Sequence, residues 1–166
     1  INLSEADHQL TGEVDLDYAG VSVSGAGDVD GDGLDDILVG APFSDEGSRL
    51  PGQACLIMGR SLTLGSSSLS EADHQFIGVA ETDFAGISLD GAGDVDGDGV
   101  DDLAVGALYD ADGGASSGAV YILLLNPDGS VRSSTKISIA LEHSVFTSLS
   151  FRTPPRRSVA IIWPDR

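Results

Sequence analysis

The sequence predicts an all-β fold: two four-stranded propeller blades, forming a partial propeller, followed by a tail that matches neither blade. Three observations carry this. Residues 3–59 align without a gap on residues 69–125, an offset of 66, with 28 of 57 positions identical. Within each copy, period-two alternation and short apolar runs recur, whereas nothing of helical length has a 3.6-residue period. Glycine reaches 22 residues while aromatics are 5% of the 166, which favours short elements joined by tight turns over a helical bundle.

Each element follows in order. Leu3 to His8 and its copy from Leu69 allow one helical turn, capped by Ser4 or Ser70. Gln9-Leu-Thr11 belongs to a leading strand at 3–12, and its copy Gln75-Phe-Ile77 supplies a fourth strand ahead of the next repeat. Val21-Ser-Val-Ser24 and Ile87-Ser-Leu-Asp90 alternate as half-buried strands do. Ile37-Leu-Val39 and Leu103-Ala-Val105 are short apolar runs ended by glycine. Ala54-Cys-Leu-Ile-Met58 and the run from Ala119 to Leu125 are longer, as in strands buried on both faces. Four strands per repeat is the count of a propeller blade. Repeat one thus covers about 13–78 and repeat two about 79–131.

Charge marks the remaining boundary. Residues 1–131 hold 25 of the 27 acids against two basic residues, a formal −23, while residues 132–166 carry +4. This basic tail reads as one or two strands covering an open edge, through Ile137, Ile139, Leu141 and Ser158 to Trp163, or as a partly ordered appendage. Its charge suits docking on the acidic body. The whole chain has a net charge of −19, a field that repels phosphates, so nucleic acid and anionic membranes are poor partners and metal cations good ones. A single cysteine, Cys55, excludes an internal disulfide framework and a thiolate zinc cluster. The apolar run from Ala119 to Leu125 is too short to span a bilayer. Mean hydropathy of +0.08 and 41% hydrophobic residues exclude wholesale disorder. Beginning at Ile1, the chain is expected to be a trimmed or processed piece.

The most informative segments are Asp28-Val-Asp-Gly-Asp-Gly-Leu-Asp-Asp36 and Asp94-Val-Asp-Gly-Asp-Gly-Val-Asp-Asp102. Five carboxylates in nine residues repel one another unless a cation neutralises them. Acids at loop positions 1, 3 and 5 let a curled backbone aim three carboxylates at one point, and glycines at 4 and 6 permit the turn. A backbone carbonyl at position 7 and a carboxylate at position 9 complete an all-oxygen shell that suits calcium better than magnesium. The expected ligands are Asp28, Asp30, Asp32, the Leu34 carbonyl and Asp36, then Asp94, Asp96, Asp98, the Val100 carbonyl and Asp102: two calcium ions, one per repeat. Asp35 and Asp101 are expected to point away. A helix-flanked loop with a twelfth-position ligand is excluded, because both loops run directly into strands. The competing reading is a solvated acidic turn, which two copies with the same spacing disfavour.

These residues resemble the FG-GAP repeats of integrin α-subunit propellers and their bacterial relatives. The likeness rests on Tyr18-Ala-Gly-Val-Ser, the acidic loop, Asp36-Ile-Leu-Val-Gly-Ala-Pro42 and Gly52-Gln-Ala-Cys. In the second copy it rests on Phe84-Ala-Gly-Ile-Ser, its loop, Asp102-Leu-Ala-Val-Gly-Ala107 and Gly118-Ala-Val-Tyr. It covers about 1–125. Tyr18 replaces phenylalanine, Leu108 replaces proline, and the tail has no match. The resemblance implies a calcium-bearing β-propeller, usually of seven blades, extracellular and serving adhesion or ligand binding. Two blades do not close a ring, so further blades or self-association are expected to cover the exposed edges.

Other residues read more plainly. His8 and His74 recur with the repeat, which favours a structural role over metal or acid–base work. Cys55 in an apolar strand suits a buried thiol, and Tyr18 and Phe84 fill the space between blades. Trp163 reads as packing rather than as a ligand platform. Gly20-Val-Ser-Val-Ser lacks the spacing of a nucleophile elbow, and Gly25-Ala-Gly-Asp-Val-Asp-Gly31 has one residue too many for a dinucleotide fingerprint. No catalytic constellation stands out. The expectation is a non-catalytic, calcium-binding propeller fragment of an extracellular or cell-surface protein, recognising a protein or glycan ligand. The alternatives are an accessory propeller of a secreted hydrolase or lyase, and a purely structural spacer.

Overall fold

The apolar runs of both copies fold as strands in a computed structural model that describes residues 2–44, 50–111 and 115–138. A 3-10 turn at Leu3–Glu5 leads into β1 (His8–Thr11), β2 (Ser22–Gly27), β3 (Asp36–Ala41) and β4 (Gln53–Ile57). Further 3-10 turns at Gly59–Ser61 and Leu69–Glu71 flank β5 (Gly65–Ser68) and precede β6 (His74–Ile77). The second copy supplies β7 (Ala85–Gly93), β8 (Asp102–Ala107) and β9 (Ala119–Leu125), and β10 (Val131–Ser138) follows. The turns at residues 3 and 69 form, but with different caps from those expected. Asn2 and Ser68 accept from the N–H groups of Ser4 and Ser70. A cap residue needs extended backbone, and that is found at Asn2 (ψ 135°) and Ser68 (ψ 151°).

Two four-stranded antiparallel sheets result, in the orders β2-β3-β4-β6 and β7-β8-β9-β10, as partial propeller blades. In the first, β6 joins β4 with Gln53 opposite Ile77 and Leu56 opposite His74, the fourth strand that the sequence predicts. In the second, that place belongs to β10, with Ile137 opposite Val120 and Lys136 opposite Tyr121. The chain from 132 to 138 therefore continues the blade as an edge-covering strand, one of the readings given for the tail. Ile139, Leu141 and the segment from Ser158 to Trp163 lie outside the described residues. β1 and β5 stand apart as a parallel pair, His8 opposite Gly65. β5 is Gly-Ser-Ser-Ser and carries no apolar signal.

The blades pack face to face. Ala26, Leu38, Ala54, Leu56 and Met58 of the first meet Val100, Leu103, Val105, Leu123 and Leu125 of the second in one buried cluster. Fully burying a leucine is worth about 1.5–3 kcal/mol, so this interface is the main apolar support of the pair. The other face of blade one, Val39, Ala41, Cys55 and Ile57, is covered by Leu69 with Leu10 and Leu62. β4, covered on both faces, is buried at every position. β9, expected to match it, is not: Val120 is 41% exposed. No described segment covers its outer face as Leu10, Leu62 and Leu69 cover blade one.

Backbone proximity sets the blade spacing. Gly86 has φ +83°, and a Cβ there would fall 2.1 Å from the Gln53 carbonyl oxygen. Ser22 Oγ donates to the Gly86 carbonyl at 2.6 Å, tying β2 to β7.

Candidate metal centres

Both acidic segments form the hairpin loop between the first two strands of a blade: residues 28–36 join β2 to β3, and 94–102 join β7 to β8. Each loop follows a register irregularity, between Gly25 and Gly27 and between Gly91 and Gly93. The loop backbone is curled by its own carboxylates. Asp28 accepts from Asp32 N–H and Gly33 N–H, both at 3.0 Å, and Asp32 accepts from Leu34 N–H at 2.8 Å. Asp94 accepts from Gly97 (2.7 Å), Asp98 (3.0 Å) and Gly99 (3.0 Å), and Asp98 from Val100 at 3.0 Å. The glycines at positions 4 and 6 have positive φ in both loops, 72° and 89° then 81° and 93°, the conformation for which glycine carries no steric penalty.

Position 9 is built differently. Asp36 is 1% exposed, accepting from Val29 N–H and Gly59 N–H, both at 2.8 Å. Asp102 is fully buried and accepts from Val95 N–H at 2.9 Å and Leu125 N–H at 3.0 Å. Each carboxylate staples its loop to the end of the third strand. Burial pushes the pKa of both acids above the ordinary 3.8, against the lowering effect of those N–H groups; Asp28 and Asp32, or Asp96 and Asp98, push it further up.

Asp28, Asp30 and Asp32 bring one carboxylate oxygen each within 4.8 Å of one another, as do Asp94, Asp96 and Asp102. Asp36 and Asp98 fall outside these groups of three. Leu34 is half exposed at position 7, whereas Val100 enters the interblade core. Asp35 is exposed as expected. Asp101 is not simply solvated: its carboxylate lies against the α-carbon of Gly27, on blade one. The donor set fits a hard divalent cation, being all oxygen, anionic and convergent. Asp30 Oδ2 is buried, and its partner is the Arg60 guanidinium, in an ion pair rather than a hydrogen bond.

Two loop partners escaped the sequence reading. Arg60, in the 3-10 turn after β4, pairs with Asp30, and Arg132, on β10, pairs with Asp96 and Asp98. The available signal was scarcity: only four basic residues precede position 139. His8 and His74 donate ring N–H groups to the carbonyls of Thr63 and Asp128 (2.7 Å for His74) in the turns after β4 and β9. Tyr18 and Phe84 join Phe43 and Tyr109 in a row of rings across the blades, with centroids 5.0, 4.7 and 5.2 Å apart. Tyr18 stays half exposed at one end of the row.

An FG-GAP repeat family model matches residues 19–53 and 85–123, each stretch containing one acidic loop whole. The chain carries two FG-GAP repeats. It is similar to integrin alpha-PS2 of Drosophila melanogaster, 36% identical over 133 residues, which is 77% of this chain and 9% of that protein. Integrin alpha-IIb of Homo sapiens is 38% identical over 113 residues, 68% of this chain and 10% of that protein. Integrin alpha-5 of Xenopus laevis is 36% identical over 99 residues, 60% of this chain and 9% of that protein. The chain thus spans about a tenth of these relatives' length. Among the described residues, no helix is long and apolar enough to cross a membrane.

Proposed function

We propose that these two FG-GAP repeats are calcium-stabilised propeller blades of an extracellular adhesion or ligand-recognition protein, without catalytic activity of their own. The observation that carries the reading is duplication: two hairpin loops, 66 residues apart, each gather three carboxylate oxygens within 4.8 Å. Asp28, Asp30 and Asp32 would hold one ion with the Leu34 carbonyl and Asp36; Asp94, Asp96, Asp98 and Asp102 would hold the other with the Val100 carbonyl. A bound calcium ion neutralises charge that otherwise opens the loops, so its binding energy counts toward folding. The resemblance to integrin alpha chains supports the adhesion setting, a cell-surface location and a protein or glycan ligand. It also supports further blades flanking this pair.

Calorimetric titration of the metal-free chain with calcium tests this. Uptake of two ions is expected, with Asp30→Ala plus Asp96→Ala abolishing it and lowering the melting temperature as chelation does. Absence of heat, together with a melting curve indifferent to chelator, refutes the proposal.

A further inference from the structure

The three basic residues of the described chain, Arg60, Arg132 and Lys136, all sit on carboxylates. Lys136 joins the outer strand of blade two to buried Asp110 at 2.6 Å. The two arginines instead reach into the acidic loops. Arg60 contacts Asp30, whose side chain is only 6% exposed. Arg132 spreads its guanidinium across Asp96 and Asp98, one nitrogen to each. Asp30 and Asp96 are the same loop position in the two repeats, but the arginines are not copies: the equivalent of Arg60 is Asn126, and that of Arg132 is Ser66. Duplication therefore explains the carboxylates and does not explain the guanidiniums, which converge on one target from unrelated places. Arg132 also sits at the register irregularity of β10, between Val131 opposite Leu125 and Ser133 opposite Leu124. A bulge of this kind re-aims one side chain out of the ladder, and here that side chain meets loop two.

We propose that Arg60 and Arg132 are built-in competitors for the two loops, each guanidinium opposing entry of a divalent cation and setting that loop's affinity. This rests on the calcium reading above. A guanidinium keeps its charge throughout the accessible pH range, so it opposes the ion until the side chain moves away. Like charges a few ångströms apart at a partly buried site repel far more than in water. The arginine has a second effect of opposite sign, since it offsets carboxylate repulsion when no ion is bound.

The test is calcium titration by calorimetry, with thermal melts in chelator, of the whole chain and of Arg60→Gln and Arg132→Gln. Each variant is expected to bind calcium about tenfold or more tightly at its own loop and to melt earlier than the parent in chelator. Arg132→Lys, which keeps the charge, is expected to stay close to parental affinity. Unchanged or weaker calcium affinity in both glutamine variants overturns the proposal, while failure of the parent to take up calcium overturns the calcium reading itself. Should a glutamine variant fail to fold, the arginine Nε–H resonances of the parent serve instead. Displacement of the two ion-paired arginine signals on calcium addition supports competition, and signals unmoved at saturation refute it.

Discussion

The strongest structural prediction concerns the ninth loop position rather than the exposed carboxylates. Asp102 is fully buried, and its two oxygens are the acceptors for Val95 N–H and Leu125 N–H. Asp102→Ala orphans both donors, and each buried unsatisfied group costs about 1–3 kcal/mol. Relief of a desolvated carboxylate beside Asp96 and Asp98 offsets part of that loss. The net expectation is about 2–4 kcal/mol of destabilisation. Asp36→Ala should behave alike, because Asp36 makes the equivalent bonds to Val29 and Gly59. Urea denaturation in chelator is the appropriate assay, since it removes any contribution from ion binding. Asp35→Ala, at an exposed position in the same loop, serves as the control and should change stability by less than about 0.5 kcal/mol. If Asp102→Ala and Asp35→Ala lose equal stability in chelator, the stapling argument is wrong.

Three further outcomes follow from individual sites. Gly20 and Gly86 are repeat equivalents with φ near +85°, but a Cβ at Gly20 meets nothing within 4 Å while one at Gly86 meets the Gln53 carbonyl; Gly20→Ala should cost about 1–2 kcal/mol and Gly86→Ala a further 1–3 kcal/mol, read by urea denaturation. Burial pushes the Cys55 thiol up to about 12, so a thiol reagent at pH 8 should label it only at the rate of unfolding, and prompt labelling of the native chain would contradict the packing. The raised pKa values of Asp36 and Asp102 mean that the folded state holds their protons to higher pH than the unfolded state. Their favourable contribution is complete below 3.8 and lost as pH rises through the shifted values; in chelator, the parent and the Asp36→Asn plus Asp102→Asn variant should diverge across that range, and parallel pH–stability profiles would count against the shift.

Much of this was legible because a repeat states its local rules twice. The alternation in Ile87-Ser-Leu-Asp90, the glycine-bounded run Leu103-Ala-Val105 and the apolar stretch from Ala119 to Leu125 all fall within β7, β8 and β9. The spacing of aspartates and glycines located both loops and the trio Asp28, Asp30 and Asp32, but in the second loop buried Asp102 rather than Asp98 joins Asp94 and Asp96. What escaped depends on contacts between distant segments. β5 is Gly-Ser-Ser-Ser and forms only because β1 lies alongside. Burial of β4 and partial exposure of β9 follow from what covers each sheet, which no local pattern records. The arginines were invisible to motif reading because neither recurs at the equivalent position of the other repeat, which holds Asn126 for Arg60 and Ser66 for Arg132.

The contrast between β5 and β10 shows where repetition stops dictating structure. The first residues of each, Gly65 and Val131, are equivalent by the 66-residue offset, yet β5 pairs in parallel with β1 and β10 pairs antiparallel with β9. In blade one the edge of β4 is taken by β6, so residues 65–68 pair elsewhere. In blade two the edge of β9 receives residues 131–138 through the turn at 126–130, where Asn126 N–H donates to the Ser130 carbonyl at 2.9 Å. An unpaired strand edge is a strong template for whatever segment reaches it first in space. Lys136 on Asp110 and over the Tyr121 ring, 5.4 Å from its centroid, then fixes the register of a strand that has little apolar side chain of its own. Charge pairing therefore selects the fourth strand of the second blade, where Phe76, packed on the interblade core, anchors that of the first.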